Sequence, residues 1–218
     1  MSKEIYVYMD LYGKPYFVGN LWLKEKDGEE RATFEYSKKW LENPLSISLE
    51  PTLQLGEGKY HTKNQAFFGS INDSAPDRWG RTLMDRMEAR KAKQENRKAR
   101  KLLESDYLLM VDDQTRLGAL RFTTDPNGSF LANYDKSKIP PLVELGSLMN
   151  KTARIISLEE NNEDLQDIFE PGSSLGGARP KASVKDNSGN LYIAKFPSPK
   201  DDHDVELKSK RGQICSLK

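Results

Sequence analysis

Cysteine is almost missing from this chain: Cys215 is the only one in 218 residues. A single thiol cannot close an internal disulfide, which fits a reducing compartment. Histidine is scarce as well, and His61 has no convergent partners, so it reads as a surface-loop residue. No charge of one sign dominates. The 34 Lys+Arg against 33 Asp+Glu leave a net charge of +1, and nothing in that balance points to nucleic acid. No apolar run approaches the roughly 20 residues that span a bilayer. The first five residues lack the basic-then-apolar pattern of a signal peptide. Cytoplasmic placement without a membrane segment is the expectation.

Charged residues make up 31% of the chain and hydrophobic ones 36%, enough for a modest core. The length suits one large domain or two small ones. Residues 5–9, 16–23 and 32–36 are β-branched and aromatic runs, separated by turns at 12–15 and 26–29, and predict a three-strand meander. Ser37 is placed to cap a short helical turn through Trp40 and Leu41. The alternation over 45–49 predicts another strand, and a glycine-rich loop follows at 56–60. A long helix is expected from Asp77 to about Leu103, a short one over 107–111 capped by Ser105 and Asp106, and a strand over 117–122. Residues 129–134 read as extended. Beyond the boundary at residues 139–141, two helices are expected over 142–156 and 159–169, the second capped by Ser157. Phe17, Trp22, Phe34, Trp40, Phe67 and Trp79 are the expected core of the N-terminal part.

Between residues 78 and 101, ten basic residues face three acidic ones, a net +7. Such a stretch suits a nucleic-acid or acidic partner. It equally suits a solvated helix face with Leu83, Met84 and Met87 on its apolar side. No aromatic interleaving favours base stacking, so direct nucleic-acid binding is not expected.

The most informative stretch is 172–184 (GSSLGGARPKASV), followed by 190–197 (NLYIAKFP). It reads as a glycine-rich turn, a strand, the polar turn 186–189, and a second strand carrying one lysine. Adjacent Gly176 and Gly177 allow close backbone approach to a ligand, and exposed amides in such a loop favour anions. Lys195 sits in an apolar run where a charge is costly unless compensated. A glycine loop and a strand lysine are the phosphate-handling parts of a protein-kinase N-lobe. By spacing alone, a hairpin with a flexible tip and a snorkelling lysine fits too.

Residues 174–182 (SLGGARPKA) with 193–197 (IAKFP) resemble the nucleotide loop and lysine strand of HipA-family serine/threonine kinases, the toxins of bacterial type II toxin–antitoxin pairs. Residues 67–81 (FFGSINDSAPDRWGR) and 106–122 (DYLLMVDDQTRLGALRF) are similar to that family in the same order. The resemblance covers about residues 1–206. It implies an α+β protein: a β-rich N-terminal subdomain with helices over 1–125, then a kinase-like N-lobe over 126–206, with 207–218 as a tail outside the family pattern. It implies that Lys195 binds the α- and β-phosphates of ATP and pairs with a carboxylate near 204–206. Gly176, Gly177 and Ala178 would place amides over the phosphates. Arg179 and Lys181 would add charge there or be solvated. Ser174, with Ser173 beside it as a competitor, matches an autophosphorylation site; a turn-capping serine is the plainer reading. The resemblance further implies Mg2+ as cofactor, a HipB-like helix-turn-helix antitoxin as partner, and an aminoacyl-tRNA synthetase as target. Asp201, Asp202, His203 and Asp204 lie too soon after Lys195 to be a catalytic loop and read as a solvated helix start.

Phosphoryl transfer needs a catalytic aspartate and Mg2+ ligands. The 23 residues after Lys195 contain neither a catalytic loop nor an Asp-Phe-Gly-like element, and residues 207–218 show no apolar periodicity. The sequence therefore supports three readings: a kinase remnant inactive by itself, a regulatory subunit docking on a separate C-lobe or the antitoxin, and a nucleic-acid binder using residues 78–101. A missing C-lobe would leave Ile193 and Phe196 exposed and residues after about 170 loosely held.

Overall fold

A computed structural model describes residues 2–113, 116–131, 144–172, 178–196 and 213–216. In chain order the elements are β1 (Ser2–Leu11), β2 (Lys14–Lys26), β3 (Glu29–Tyr36), α1 (Lys38–Leu41), β4 (Lys59–His61), α2 (Gly69–Asn72), α3 (Arg78–Gln94), α4 (Glu104–Met110), β5 (Leu120–Thr123), α5 (Leu145–Ser157), α6 (Asn162–Gly172), β6 (Lys181–Lys185), β7 (Leu191–Lys195) and β8 (Gln213–Ser216). They form a mixed α+β protein. Two compact units divide the chain, one of residues 1–75 and 102–133, the other of residues 76–101 and 134–218. The division differs from a cut near residue 125, because α3 is built into the second unit.

The first unit is a five-stranded antiparallel sheet in the order β4-β3-β2-β1-β5. Both meander turns are two-residue loops with positive φ at each position: Tyr12 and Gly13, then Asp27 and Gly28. That is type I′ geometry, whose twist matches the flanking strands. One sheet face buries Ile5, Val7, Leu21, Leu23, Phe34 and Phe122 against Trp40, Leu53, Phe67, Phe68, Ile71 and Leu108. Phe17 and Trp22, expected in this core, lie half-buried on the opposite face; Phe17 packs on Tyr8 at 5.2 Å, and the Trp22 indole donates to Glu4 Oε1 at 3.0 Å. The pairing of β1 with β2 shifts by one residue between Val7 and Tyr8, and that bulge puts Gly19 against the Glu35 carbonyl.

Ser37 caps α1 as expected, accepting from Trp40 N at 3.1 Å. The alternating run 45–49 forms no strand. Its backbone bonds are local or go to side chains instead: Leu45 N donates to Asn43 Oδ1, Ser46 N to Asn43 O, and Leu49 N to the Tyr36 hydroxyl. Alternation alone did not supply a neighbouring strand. Arg116 is buried and donates to the carbonyls of Ser74, Leu108, Val111 and Leu131, tying α4 and two loops together. Residues 129–131 lie outside any strand, and 132–134 fall outside the described residues.

In the second unit α6 touches α3, α5 and β6. Buried side chains come from all of them: Trp79, Leu83 and Met84; Leu148 and Ile155; Leu165, Ile168 and Phe169; Ala182 and Val184. Trp79, assigned by sequence to the first core, is therefore a residue of the second unit. Helix α3 stops at Gln94 rather than near Leu103. Asn96 takes a left-handed φ of 49°, Arg97 N bonds Ala92 O and Asn96 N bonds Lys93 O, which is a Schellman closure. Asn161 and Asp164 cap α6 reciprocally, whereas Ser157 ends α5 and donates to Ala153 O. Strands β6, β7 and β8 form an antiparallel sheet in that order. A strand at 213–216 was not anticipated in the last twelve residues. Phe196, expected to be exposed, is only 2% exposed. Among the described residues no helix is long and apolar enough to cross a membrane.

Candidate functional site

The turn joining β6 to β7 is held by Asp186. Its carboxylate accepts from Ser188 N, Asn190 N, Asn190 Nδ2 and the Tyr192 hydroxyl at 2.8–3.1 Å, while Gly189 takes φ 83°. Those bonds, that from Asn190 foremost, hold the Asp186 carboxyl below the ordinary aspartate range. A rigid turn sets the register, and the register places Lys181 directly opposite Lys195.

The kind of pairing matters. Phe196 N donates to Pro180 O at 2.8 Å, so residues 180 and 196 form the hydrogen-bonded pair. Hydrogen-bonded and non-hydrogen-bonded pairs alternate along an antiparallel ladder, and side chains are closer in the latter. Lys181 and Lys195 are thus a non-hydrogen-bonded pair, two cationic stems at close approach on one face. Like charges directly opposite repel.

Lys181 is 8% exposed. Burial, foremost, and the Lys195 charge push its ammonium below the ordinary lysine range, with Arg179 adding to the effect and Asp77 opposing it. Asp77 is the residue immediately before α3. Lys195 is half-buried, and among the described residues its side chain has no hydrogen-bond or ion-pair partner. Arg179 and Ala178 are exposed. The structure thus separates Arg179 from Lys181, which sequence left as equals: the first is exposed and the second is buried. Ser174, Gly176 and Gly177 lie outside the described residues, as do Asp201–Asp204 and the expected carboxylate near 204–206.

Two residues join this site that sequence placed elsewhere. The Trp79 indole Nε1 donates to the Lys181 carbonyl at 2.9 Å, fully inside the protein, and Asp77 supplies the opposing charge. Their signal was present in the 67–81 motif, but nothing in the sequence connects it to a strand a hundred residues later.

Part of the basic stretch is paired within the fold. Arg86 and Arg90 lie 3.8 and 3.7 Å from buried Glu160, Arg90 donates to Asn162, and Lys91 reaches Glu95. Glu88 accepts from Arg97 Nη1 at 2.6 Å, Arg97 Nη2 at 3.2 Å and Arg100 N at 3.0 Å. Those bonds hold the Glu88 carboxyl at about 2. Cations committed to such pairs are not a free track for a phosphate backbone. His61 is exposed on β4, its Nδ1 at 2.9 Å from the Thr33 hydroxyl. Among the described residues no group of three His, Cys, Asp or Glu side chains could hold a metal ion.

Residues 9–105 match the family model of the HipA N-terminal domain. No curated protein matches the chain.

Proposed function

We propose that this chain, whose residues 9–105 match the HipA N-terminal domain, is a nucleotide-binding part of a HipA-type serine/threonine kinase toxin. The observation that carries this reading is the opposed pair of Lys181 and Lys195. Two cations held close on one face, one of them buried, favour an anion with several charges beside them. A nucleotide polyphosphate meets that requirement. In this reading β6, β7 and β8 belong to a kinase-like N-lobe.

ATP would be held by its phosphates on Lys181 and Lys195, with the backbone of Gly176, Gly177 and Ala178 over them, and it would supply the phosphoryl group. Ser174 would be the acceptor within the loop; a phosphate there adds nearly two negative charges and repels nucleotide from the same lysines. Mg2+ would accompany the nucleotide phosphates, and no step is routed through that ion. The 218 residues contain no catalytic loop after Lys195, so binding without transfer is the activity expected of them alone. A HipB-like helix-turn-helix antitoxin and an aminoacyl-tRNA synthetase target would be partners of the whole kinase.

Calorimetric titration with ATP tests this reading. Saturable binding, weakened at least tenfold by Lys195→Ala (about 1.4 kcal/mol), is the expected result. Absence of saturable binding, or equal binding by the variant, overturns it. Label transferred from ATP to Ser174 by this chain alone would overturn the expectation of binding without transfer.

A further inference from the structure

Each lysine of the opposed pair is held from outside the hairpin. Because residues 181 and 195 form a non-hydrogen-bonded pair across β6 and β7, their own N–H and C=O groups point away from each other. On the β7 side they face β8, where Lys195 pairs with Gln213. On the β6 side no further strand follows among the described residues, where β6 is the edge of the sheet. There the Lys181 carbonyl accepts the Trp79 indole N–H at 2.9 Å. A tryptophan whose ring is buried and whose N–H is spent on one acceptor fixes that acceptor in two ways, by packing and by direction.

We infer that Trp79, on α3, is a positioning residue for the anion site: through the Lys181 carbonyl it holds the first residue of β6 so that the Lys181 side chain stands opposite Lys195. This inference rests on the nucleotide reading for its ligand and on geometry alone for its mechanism. Lys181 follows Ala178 and Arg179, both exposed, and Pro180, which has no N–H to give. A strand starting there with its outer carbonyl free would fray. The indole supplies the bond that a neighbouring strand would otherwise make.

Nuclear magnetic resonance on the full chain provides the test. The three indole N–H groups have distinct acceptors: Glu4 for Trp22, the Ile47 carbonyl for Trp40 and the Lys181 carbonyl for Trp79. On titration with ATP, the Trp79 indole signal shifts along the binding curve while those of Trp22 and Trp40 stay in place. Trp79→Phe, which keeps a buried ring and deletes the donor, binds ATP about tenfold more weakly, 1.4 kcal/mol. Without any nucleotide, the Lys181 ammonium signal, assigned with Lys181→Arg, titrates below that of an ordinary lysine in the native chain. It moves back toward the ordinary value in Trp79→Phe, as the ammonium gains solvent and moves away from Lys195 and Arg179. If the native chain binds ATP with the Trp79 signal unmoved, or Trp79→Phe binds as tightly, the positioning role falls and the nucleotide reading stands. If ATP does not bind but the Lys181 titration moves in Trp79→Phe, the nucleotide reading falls and positioning stands. An unchanged Lys181 titration in a folded Trp79→Phe overturns positioning whatever ATP does.

Discussion

Single residues carry two clear consequences. Glu88 is held by Arg97 and Arg100 with its carboxyl at about 2. A folded value below the unfolded one means stability that is fully present above about pH 4.5 and lost as pH falls toward 2. Glu88→Gln should lower stability at pH 7 by about 2 kcal/mol, the scale of charge-assisted bonds. Its loss of stability between pH 4.5 and 2 should also be shallower than in the native chain. Denaturant curves at a series of pH values check this, and parallel pH profiles would show that Glu88 is not the titrating group. Gly19 illustrates a steric rather than an electrostatic demand. A Cβ there would lie 2.1 Å from the Glu35 carbonyl oxygen, so Gly19→Ala must move β3 or straighten the bulge. A loss of about 3 kcal/mol is expected in a melting or denaturant experiment, at the upper end for overpacking; a neutral outcome would mean the bulge relaxes freely.

At the scale of elements, α3 shows how a charge-rich sequence is divided between helix and loop. Composition over 78–101 reads as one continuous basic helix, yet the helix ends where Asn96 turns left-handed and Glu88 gathers Arg97 and Arg100 back onto it. Asn96→Gly should be neutral or slightly stabilising, and Asn96→Ala should be less stable than the glycine variant by about 1 kcal/mol. Equal stability of the two would argue that the turn does not need a positive φ. The β6–β7–β8 sheet gives a second test. By the alternation of pairs, the Ile193 and Lys195 amides face β8 and the Ala194 amide faces β6. Hydrogen exchange should therefore find Ile193 and Lys195 slow. Cys215→Pro removes the donor opposite Ile193 and should speed the exchange of both while Ala194 stays protected. Fast exchange at all three in the native chain would mean that β8 does not pair.

Across the whole molecule, what local chemistry controls was legible in the sequence. The meander, the Ser37 cap, the turn at 186–189 and the hairpin with Lys195 all depend on residues within a few positions of one another. Turn geometry and strand alternation act at that range. The same holds for the motif at 67–81, which resembles the HipA family and lies within the matched residues 9–105. Long-range packing decided the rest. Alternation at 45–49 was a strand signal with no strand to pair with, Phe17 fell on the outer face because a bulge resets the register, and Trp22 alternates with buried Leu21 and Leu23. Residues 213–216 gained a strand only because the edge of β7 lay open. Above all, Trp79 was read into the wrong core: a tryptophan declares that it will be buried, not against what. Local patterning thus determined the meander, the Ser37 cap and the hairpin that carries Lys181 and Lys195. Only the tertiary structure determined that Lys181 is buried opposite Lys195 with its carbonyl on Trp79, because that contact joins residues a hundred positions apart whose meeting no local propensity encodes.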